Sequence, residues 1–282
     1  MNNTEKLLKI YFCFPENVPV DDVDGFVGSL TKEVRSNDLI GYAGFKQKKS
    51  LQKAIKNNYR KEDIVDYKPL SDQGKKVIKK HLKEVVLKCN AKLPLPQKPL
   101  YIHTFPWFPS KDAKIFEGVM GTAIWENSIH ILIDTKKFSV KALGKIIAHE
   151  YNHMIFYNYH PKNERAIWGA IIMEGLAEHF REDIVGGEPA PWSTALDKKE
   201  VERELKKIQD HNLSQRKLKN DPQKYWKFHR EVFYGEDDKY KRWTGYSIGY
   251  QIVEAFKEKE SDITWEELMK LDTEEIMESG NI

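Results

Sequence analysis

The chain has 282 residues, of which 40% are hydrophobic and 12% aromatic, so it can bury a sizeable core and is not a disordered chain. Its 46 basic and 43 acidic residues leave a net charge of +3, a balance that argues against nucleic-acid binding. The two isolated cysteines, Cys13 and Cys89, do not make a disulfide framework and fit a reducing compartment. No stretch approaches the roughly 18 apolar residues of a membrane span, and the N-terminal segment lacks a signal-peptide pattern, so we expect a cytoplasmic protein.

The first ninety or so residues predict a region of mixed structure. Residues 7–14, LLKIYFCF, have the composition of a strand, and a lysine-rich stretch at 45–60 is expected to be helical. Residues 71–89 predict an amphipathic helix whose apolar side carries Val77, Ile78, Leu82, Val85 and Val86. The proline-rich segment KLPLPQKP cannot continue this helix, so we expect an N-terminal α/β extension of unknown role to end there, at residue 98.

Further strands follow this segment. LYIHTFPWF predicts one strand, and GTAIWENSIHILID predicts two more on either side of Glu126 and Asn127. Ser139 then caps a helix that is expected to extend to about Tyr157. The sequence therefore predicts a subdomain over residues 99–160 in which a sheet accompanies one helix.

The rest of the chain predicts helices. A helix that begins at 161–163 is expected to reach about residue 184, where two glycines end it. LDKKEVERELKKIQ and GYSIGYQIVEAFKEK predict two more helices, and TWEE has the pattern of a capping box. Because strands cluster before residue 135 and helices after it, the predicted fold class is α+β, with a helical C-terminal subdomain over 161–282.

The segment IIAHEYNHMIFY carries three polar groups on an otherwise apolar helix. His149 and His153 are four residues apart, so both rings project from one face of the helix, as two ligands of one tetrahedral zinc ion require. Glu150 lies beside this pair, where it can reach a water molecule at the metal without binding the metal. Buried imidazoles need polar partners, and one metal ion serves both, so the pattern predicts two zinc ligands and a general base.

A third ligand is expected from the next helix, because a catalytic zinc ion has three protein ligands and an open position. The segment IIMEGLAEHF contains Glu174, which lies 21 positions after His153, and Glu178, one turn further on the same face. One of these acids can bind the metal while the other accepts a hydrogen bond from a ligand histidine. His179, beside them, is expected at the surface.

The motifs HEYNH and EGLAEHF together resemble the zinc sites of the thermolysin-related, glutamate-type peptidases, and more narrowly the YjaZ-like family of predicted zinc-dependent proteases. The likeness extends from GVMGTAIWENSIHILID through APWSTALDKKEVERE to GYSIGYQIVEAF. It implies a zincin-like fold and one Zn²⁺ per chain, with His149, His153 and Glu174 as ligands. It also implies that Glu150 is the catalytic base and that Glu178 orients the first histidine.

The resemblance also implies where a substrate binds. AIWENS is similar to the edge strand that holds the substrate backbone in thermolysin-like enzymes, which assigns Ala123, Ile124 and Trp125 to substrate binding by β-augmentation.

The sequence has no recognisable histidine for the negative charge of the transition state, so tyrosines are expected to serve. Tyr246 and Tyr250 in GYSIGY are the candidates, and Tyr246 ranks first because it lies in the first turn of its helix. The alternative is that both pack in the core, since Gly245 and Gly249 indicate a close helix contact.

The predicted function is zinc-dependent hydrolysis of peptide bonds in a peptide or protein substrate, with Glu150 as the base. The alternatives are a zinc-stabilised protein that binds peptides without turnover, and a zinc hydrolase of small molecules. Glu150 argues against the first alternative, because a structural zinc site needs no base. The oligomeric state is left open.

Overall fold

The computed structural model describes residues 7–16, 22–32, 52–53, 56, 59–60, 64–65, 67–108, 111–124, 127–160, 167–212 and 221–280. These residues form a mixed α+β structure, with a sheet in the N-terminal part and helices in the C-terminal part, which confirms the predicted fold class. Contacts divide the chain into two compact units, Met1–Met154 and Ile155–Ile282. Most of the helix predicted at 45–60 lies outside the described residues. Within the described ranges, no helix has both the length and the apolar character needed to cross a membrane.

The first unit is built on a four-stranded sheet. Its strands are β1 (Leu8–Phe12), β2 (Leu100–Pro106), β3 (Val119–Ile124) and β4 (Ser128–Ile133), in the spatial order β1-β2-β4-β3. The first three in this order are parallel, and β3 pairs antiparallel with β4 at the end of the sheet. All four strands form where the sequence predicts them. β1 and β2 share a sheet although they lie on opposite sides of the proline-rich segment at 93–98.

Two helices with described bounds precede the strand β2 in the first unit. Helix α1 is Val23–Leu30, and α2 is Asp72–Lys92, which begins at the N-cap Ser71. Four of the five residues predicted for the apolar side of α2 are buried, namely Ile78, Leu82, Val85 and Val86. Val77 is 39% exposed, so its prediction is wrong: it lies about 100° from Ile78 around the helix, beyond the edge of the buried stripe.

Helix α3, Val140–Tyr159, carries the HEYNH motif. It begins as predicted after Ser139, whose hydroxyl accepts a hydrogen bond from the backbone N–H of Ala142 at 3.2 Å. Leu143 and Ile147 are fully buried, and the hydroxyl of the buried Tyr151 donates to the carbonyl of Leu93 at 2.7 Å. This combination of apolar packing and a buried hydrogen bond fixes the rotation of the helix about its axis, and with it the direction of the motif's side chains.

The second unit is helical. Its described helices are α4 (Ile167–Val185), α5 (Lys198–Asn212), α6 (Pro222–Tyr234), α7 (Thr244–Lys259), α8 (Trp265–Leu268) and α9 (Thr273–Ser279). Gly186 and Gly187, both with positive φ, follow α4 as predicted, and the predicted capping box of Thr264 and Glu267 is present at α8. The predicted start of α4, at 161–163, lies outside the described residues.

Helices α4 and α7 touch through their backbones. A Cβ on Gly175 would lie 2.1 Å from the carbonyl oxygen of Gly249, and a Cβ on Gly249 would lie 2.0 Å from that of Ile171. Only glycine permits this approach, and neither obstacle is a flexible side chain. The close contact predicted from Gly245 and Gly249 is therefore confirmed for Gly249, and it holds the segment that carries Glu174.

We expect Gly249→Ala to lower the free energy of unfolding by about 1–3 kcal/mol, because the added methyl group must push two helix backbones apart. Urea unfolding followed by circular dichroism measures this change. Gly28→Ala is the matched control, since a Cβ at this helical glycine meets nothing within 4 Å, and it should leave stability unchanged or slightly raised. Equal effects of the two substitutions would contradict the close contact.

The sheet buries two histidines that do not belong to the HEYNH motif. His103 and His130 are neighbours on β2 and β4, with ring centroids 5.2 Å apart. Among the described residues, neither Nε2 has a hydrogen-bond partner. Burial lowers the pKa of His103 to about 4, and burial together with the neighbouring His103 lowers the pKa of His130 to about 3. Both rings are therefore neutral in the folded protein at physiological pH.

We expect this pair to make the fold sensitive to mild acid. The unfolded histidines take up protons as the pH falls through about 6.5, while the folded ones do not until about pH 4 and 3, so stability falls between these values by roughly 1 kcal/mol per pH unit for each ring. Metal-free protein isolates this effect from the release of bound metal. Urea unfolding at pH 7 and pH 5 should show a smaller pH effect in His130→Gln than in the parent, and equal pH effects would contradict the prediction.

Candidate metal centre

The two histidines of the motif lie on one face of α3, as their spacing predicts. Their ring centroids are 4.5 Å apart and their planes are nearly perpendicular, at 85°. Two imidazoles one turn apart on a rigid helix present their nitrogens to one point without rearrangement of the backbone. His149 and His153 thus have the relative placement of two ligands of a single ion.

Among the described residues, one group of three has ligand atoms close enough to hold a metal ion, and it consists of His149, His153 and Glu174. One possible donor atom from each lies within 4.8 Å of the others. Two imidazoles and one carboxylate are a donor set that zinc accepts in hydrolytic enzymes, with a fourth position left for water. The residues present therefore fit the metal that the sequence predicts.

Glu150 is buried beside this pair and is held by the sheet. Its Oε2 accepts a hydrogen bond from the backbone N–H of Ala123, on β3, at 2.5 Å. Gly121, two residues earlier on this strand, leaves room for the carboxylate, because a Cβ there would lie 2.7 Å from Cγ of Glu150. The backbone of β3 thus orients Glu150.

Glu178 is buried, and the structure shows two of its contacts. Its Oε1 accepts hydrogen bonds from Nη2 of Arg181 at 2.5 Å and from the backbone N–H of Ala190 at 2.7 Å. The guanidinium of Arg181 also donates to the carbonyl oxygens of Gly186 and Glu188. These bonds tie the end of α4 to the loop that follows it. The role predicted for Glu178 in orienting the first histidine stays a prediction.

His179 is buried, so its predicted place at the surface is wrong. Its Nε2 bonds to the carbonyl of Tyr250 at 3.0 Å, and the two rings stack at 4.2 Å between centroids. The hydroxyl of Tyr250 donates to the carboxylate of Glu182 at 3.2 Å. The sequence does not show this burial, because it results from the packing of α7 against α4.

Tyr246, the other predicted tyrosine, packs edge to face against the ring of Phe233, with centroids 5.0 Å apart. It is also hydrogen-bonded to Tyr234, the last residue of α6. Partial desolvation raises the pKa of Tyr234, the bond to Tyr246 lowers it, and the charge of Glu174 raises it. Tyr234 is 54% exposed and lies within electrostatic reach of Glu174. The sequence analysis missed this residue.

His229 also lies within reach of the charge of Glu174. Burial lowers its pKa to about 4, although Glu174 acts in the opposite direction, and its ring stacks on Phe233 at 4.4 Å. His229 and Tyr234 belong to KFHREVFY, which has no motif spacing. Their one sequence signal is their position in the last two turns before Gly235, where α6 ends.

The predicted substrate strand is in part described. Ala123 and Ile124 end β3, the outermost strand in the order β1-β2-β4-β3, while Trp125 lies outside the described residues. Ala123 directs its N–H to Glu150 and not to β4, so its carbonyl also faces away from β4, as antiparallel pairing requires.

The protein family of this chain follows from comparison with known proteins. A family model described as predicted Zn-dependent protease (DUF2268) matches residues 78–278. The chain belongs to this family.

One relative is the "Uncharacterized protein YjfC" of Bacillus subtilis (strain 168), which is 24% identical over 163 residues. The match covers 53% of this chain and 50% of the relative, so the chain spans about half the length of the curated relative that it matches. No solved structure matches the chain significantly.

Proposed function

We propose that this protein is a zinc-dependent metallopeptidase of the glutamate type. The observation that carries the proposal is the grouping of donor atoms from His149, His153 and Glu174 within 4.8 Å, with Glu150 buried beside the two histidines. Membership of a family described as predicted Zn-dependent protease supports the same chemistry. Zinc, when bound there, would polarise the scissile carbonyl and lower the pKa of a water molecule to about 7.

Glu150 is the general base of this proposal. It removes a proton from the attacking water and transfers it to the leaving amine as the peptide bond breaks. Its hydrogen bond from the N–H of Ala123 holds one carboxylate oxygen in place beside the two histidines. A base fixed in this way loses little conformational freedom at the moment of reaction.

Tyr234 is the side chain that we assign to the developing negative charge on the carbonyl oxygen. Its raised pKa keeps the phenol protonated and able to donate, and its hydroxyl lies within electrostatic reach of the ligand Glu174. Tyr246 then acts through its hydrogen bond to Tyr234 and holds that hydroxyl in place. The hydroxyl of Tyr250 is engaged with Glu182, which favours a packing role for that residue.

Strand β3 is the proposed binding site for the substrate backbone. The N–H of Ala123 is taken by Glu150, whereas its carbonyl oxygen faces outward and can accept a hydrogen bond from an extended peptide. Backbone hydrogen bonds would hold the substrate whatever its side chains are, and they would place the scissile carbonyl beside Glu150.

Metal analysis tests the proposal directly. Purified protein reconstituted with zinc and dialysed should hold one zinc ion per chain by mass spectrometry of the metal, and His153→Ala should lose most of it. Glu174→Ala should lower zinc affinity more than Glu178→Ala, since loss of a supporting residue typically costs only 10–100-fold. A folded parent protein that binds no zinc would overturn the proposal, and a reversed order of the two glutamates would make Glu178 the ligand.

A further inference from the structure

A cationic cavity lies beside Tyr234 in the second unit. It has a volume of about 550 Å³ and is formed by α5, the end of α6 and the loop 235–243. Five cationic and two acidic side chains line it, namely Arg203, Lys207, Lys239, Lys241, Arg242, Glu204 and Asp238. Tyr234 lines this cavity and also lies within electrostatic reach of Glu174. We call it the basic cleft.

Most of these cations are already paired with acids. The buried Glu204 contacts Arg203 at 3.4 Å and Lys207 at 2.9 Å. Lys239 lies 2.9 Å from Glu231, and Lys241 is bonded to Glu200. In each of these pairs the acid offsets most of the positive charge of its partner. The paired cations therefore do not select a ligand.

Arg242 differs from the other cations. Among the residues that the structure describes, no acid is paired with its guanidinium, which instead lies over the ring of Trp243 at 4.6 Å. A guanidinium placed over an indole ring can still direct its N–H groups to other partners, in the fork that binds a carboxylate through two parallel bonds. Arg242 is thus the lining cation that, among the described residues, is not paired with an acid.

The backbone that holds this arrangement is strained. Trp243 has φ +68°, in the left-handed region that is unfavourable for a bulky residue, and it is fixed there by the bond from its N–H to the carbonyl of Phe233 at 3.0 Å. Asp237 and Asp238, in the same loop, also have positive φ. Strain of this kind is more frequent at functional sites than elsewhere, because there it can fix a side chain in the orientation for binding.

We propose that the basic cleft is a substrate subsite that binds a carboxylate of the peptide, with Arg242 as its main contact. The inference rests on the proposed peptidase function and adds a substrate class to it. The carboxylate belongs either to an Asp or Glu side chain near the scissile bond or to the C-terminus of the peptide, and the two share the planar, bidentate chemistry that Arg242 offers.

The test uses the full-length, zinc-loaded protein and two sets of peptides. In the first set both ends are blocked and a single Glu or Gln is moved along the sequence; in the second set all side chains are neutral and the C-terminus is either free or amidated. We expect a preference of about tenfold or more in kcat/KM for one form of carboxylate over its neutral counterpart, as loss of a charge-assisted hydrogen bond implies. The set that shows the preference identifies its source.

Arg242→Gln should abolish this preference and leave kcat/KM for the neutral peptides within about twofold of the parent, because the substitution removes one contact to the carboxylate. Lys270→Gln removes the same charge from a surface pair with Glu266 and should keep the preference. Fluorescence anisotropy of labelled peptides measures binding without turnover, and Arg242→Gln should weaken only the carboxylate peptides.

The outcomes separate the two proposals. Cleavage with no preference for either carboxylate, or a preference that survives in Arg242→Gln, overturns the subsite and leaves the peptidase function standing. Absence of cleavage in zinc-loaded protein overturns the peptidase function, and the anisotropy measurement then decides the subsite: equal affinities for carboxylate and neutral peptides overturn it.

Discussion

Glu150→Gln is expected to reduce peptide hydrolysis by about 10²–10⁴-fold while zinc stays bound, because glutamine keeps the shape of the side chain and loses the basic oxygen. The amide oxygen of glutamine can still accept the hydrogen bond from the N–H of Ala123, so the side chain should keep its position. Steady-state kinetics on a cleaved peptide and metal analysis of the same sample measure the two effects together. The loss should appear in kcat, since the substrate backbone is bound by other groups.

Glu266→Gln is the control for this substitution, because it removes a carboxylate from a surface pair with Lys270. It should leave zinc content and kcat unchanged. A Glu150→Gln variant as active as the parent would show that another group is the base. A variant that has lost its zinc would show that Glu150 supports the metal, and the kinetic comparison would then carry no information about the base.

Tyr234→Phe is expected to lower kcat by about 10²–10³-fold with KM and zinc content nearly unchanged, the result of removing one donor to the carbonyl oxygen in the transition state. Tyr246→Phe removes the partner of that donor, so it should produce a smaller loss of kcat. Tyr250→Phe should leave kcat close to that of the parent, because its hydroxyl bonds to Glu182. Steady-state kinetics of the three variants, compared at equal zinc content, give this order.

Tyr159→Phe, at an exposed position at the end of α3, is the control for the loss of a phenol and should have no effect on kcat. A full loss of kcat in Tyr246→Phe with an active Tyr234→Phe would return the donor role to Tyr246, the first choice of the sequence analysis. If all three variants are as active as the parent, the donor is another group. His229 is then the next candidate, because its pKa is also affected by the charge of Glu174.

The elements of this fold could be predicted from the sequence because each has a local cause. The cap at Ser139, the capping box at Thr264 and the two glycines after α4 act within one turn of chain, so the sequence by itself determines where these helices begin and end. The same holds for the relative direction of His149 and His153, which follows from helix geometry alone. Local spacing is therefore sufficient to place the two proposed ligands and the proposed base beside them.

Other features were decided by the tertiary structure. His179 is buried because α7 packs against α4, and Val77 is exposed because nothing among the described residues covers its side of α2. Tyr234 and His229 lie within electrostatic reach of Glu174 although 55 or more positions separate them from it along the chain, and no motif marks either residue.

The division between the two kinds of information has a physical reason. A helix sets the directions of its own side chains through hydrogen bonds between residues four positions apart, so the sequence by itself determined the HEYNH face of α3 and the place of Glu150 beside it. Three features depend on which surfaces of separate elements pack together. They are the place of Tyr234, the parallel pairing of β1 with β2, and the basic cleft. That choice is made by the burial and backbone contacts of the whole unit, such as the approach of Gly175 to Gly249, and only the tertiary structure decided it.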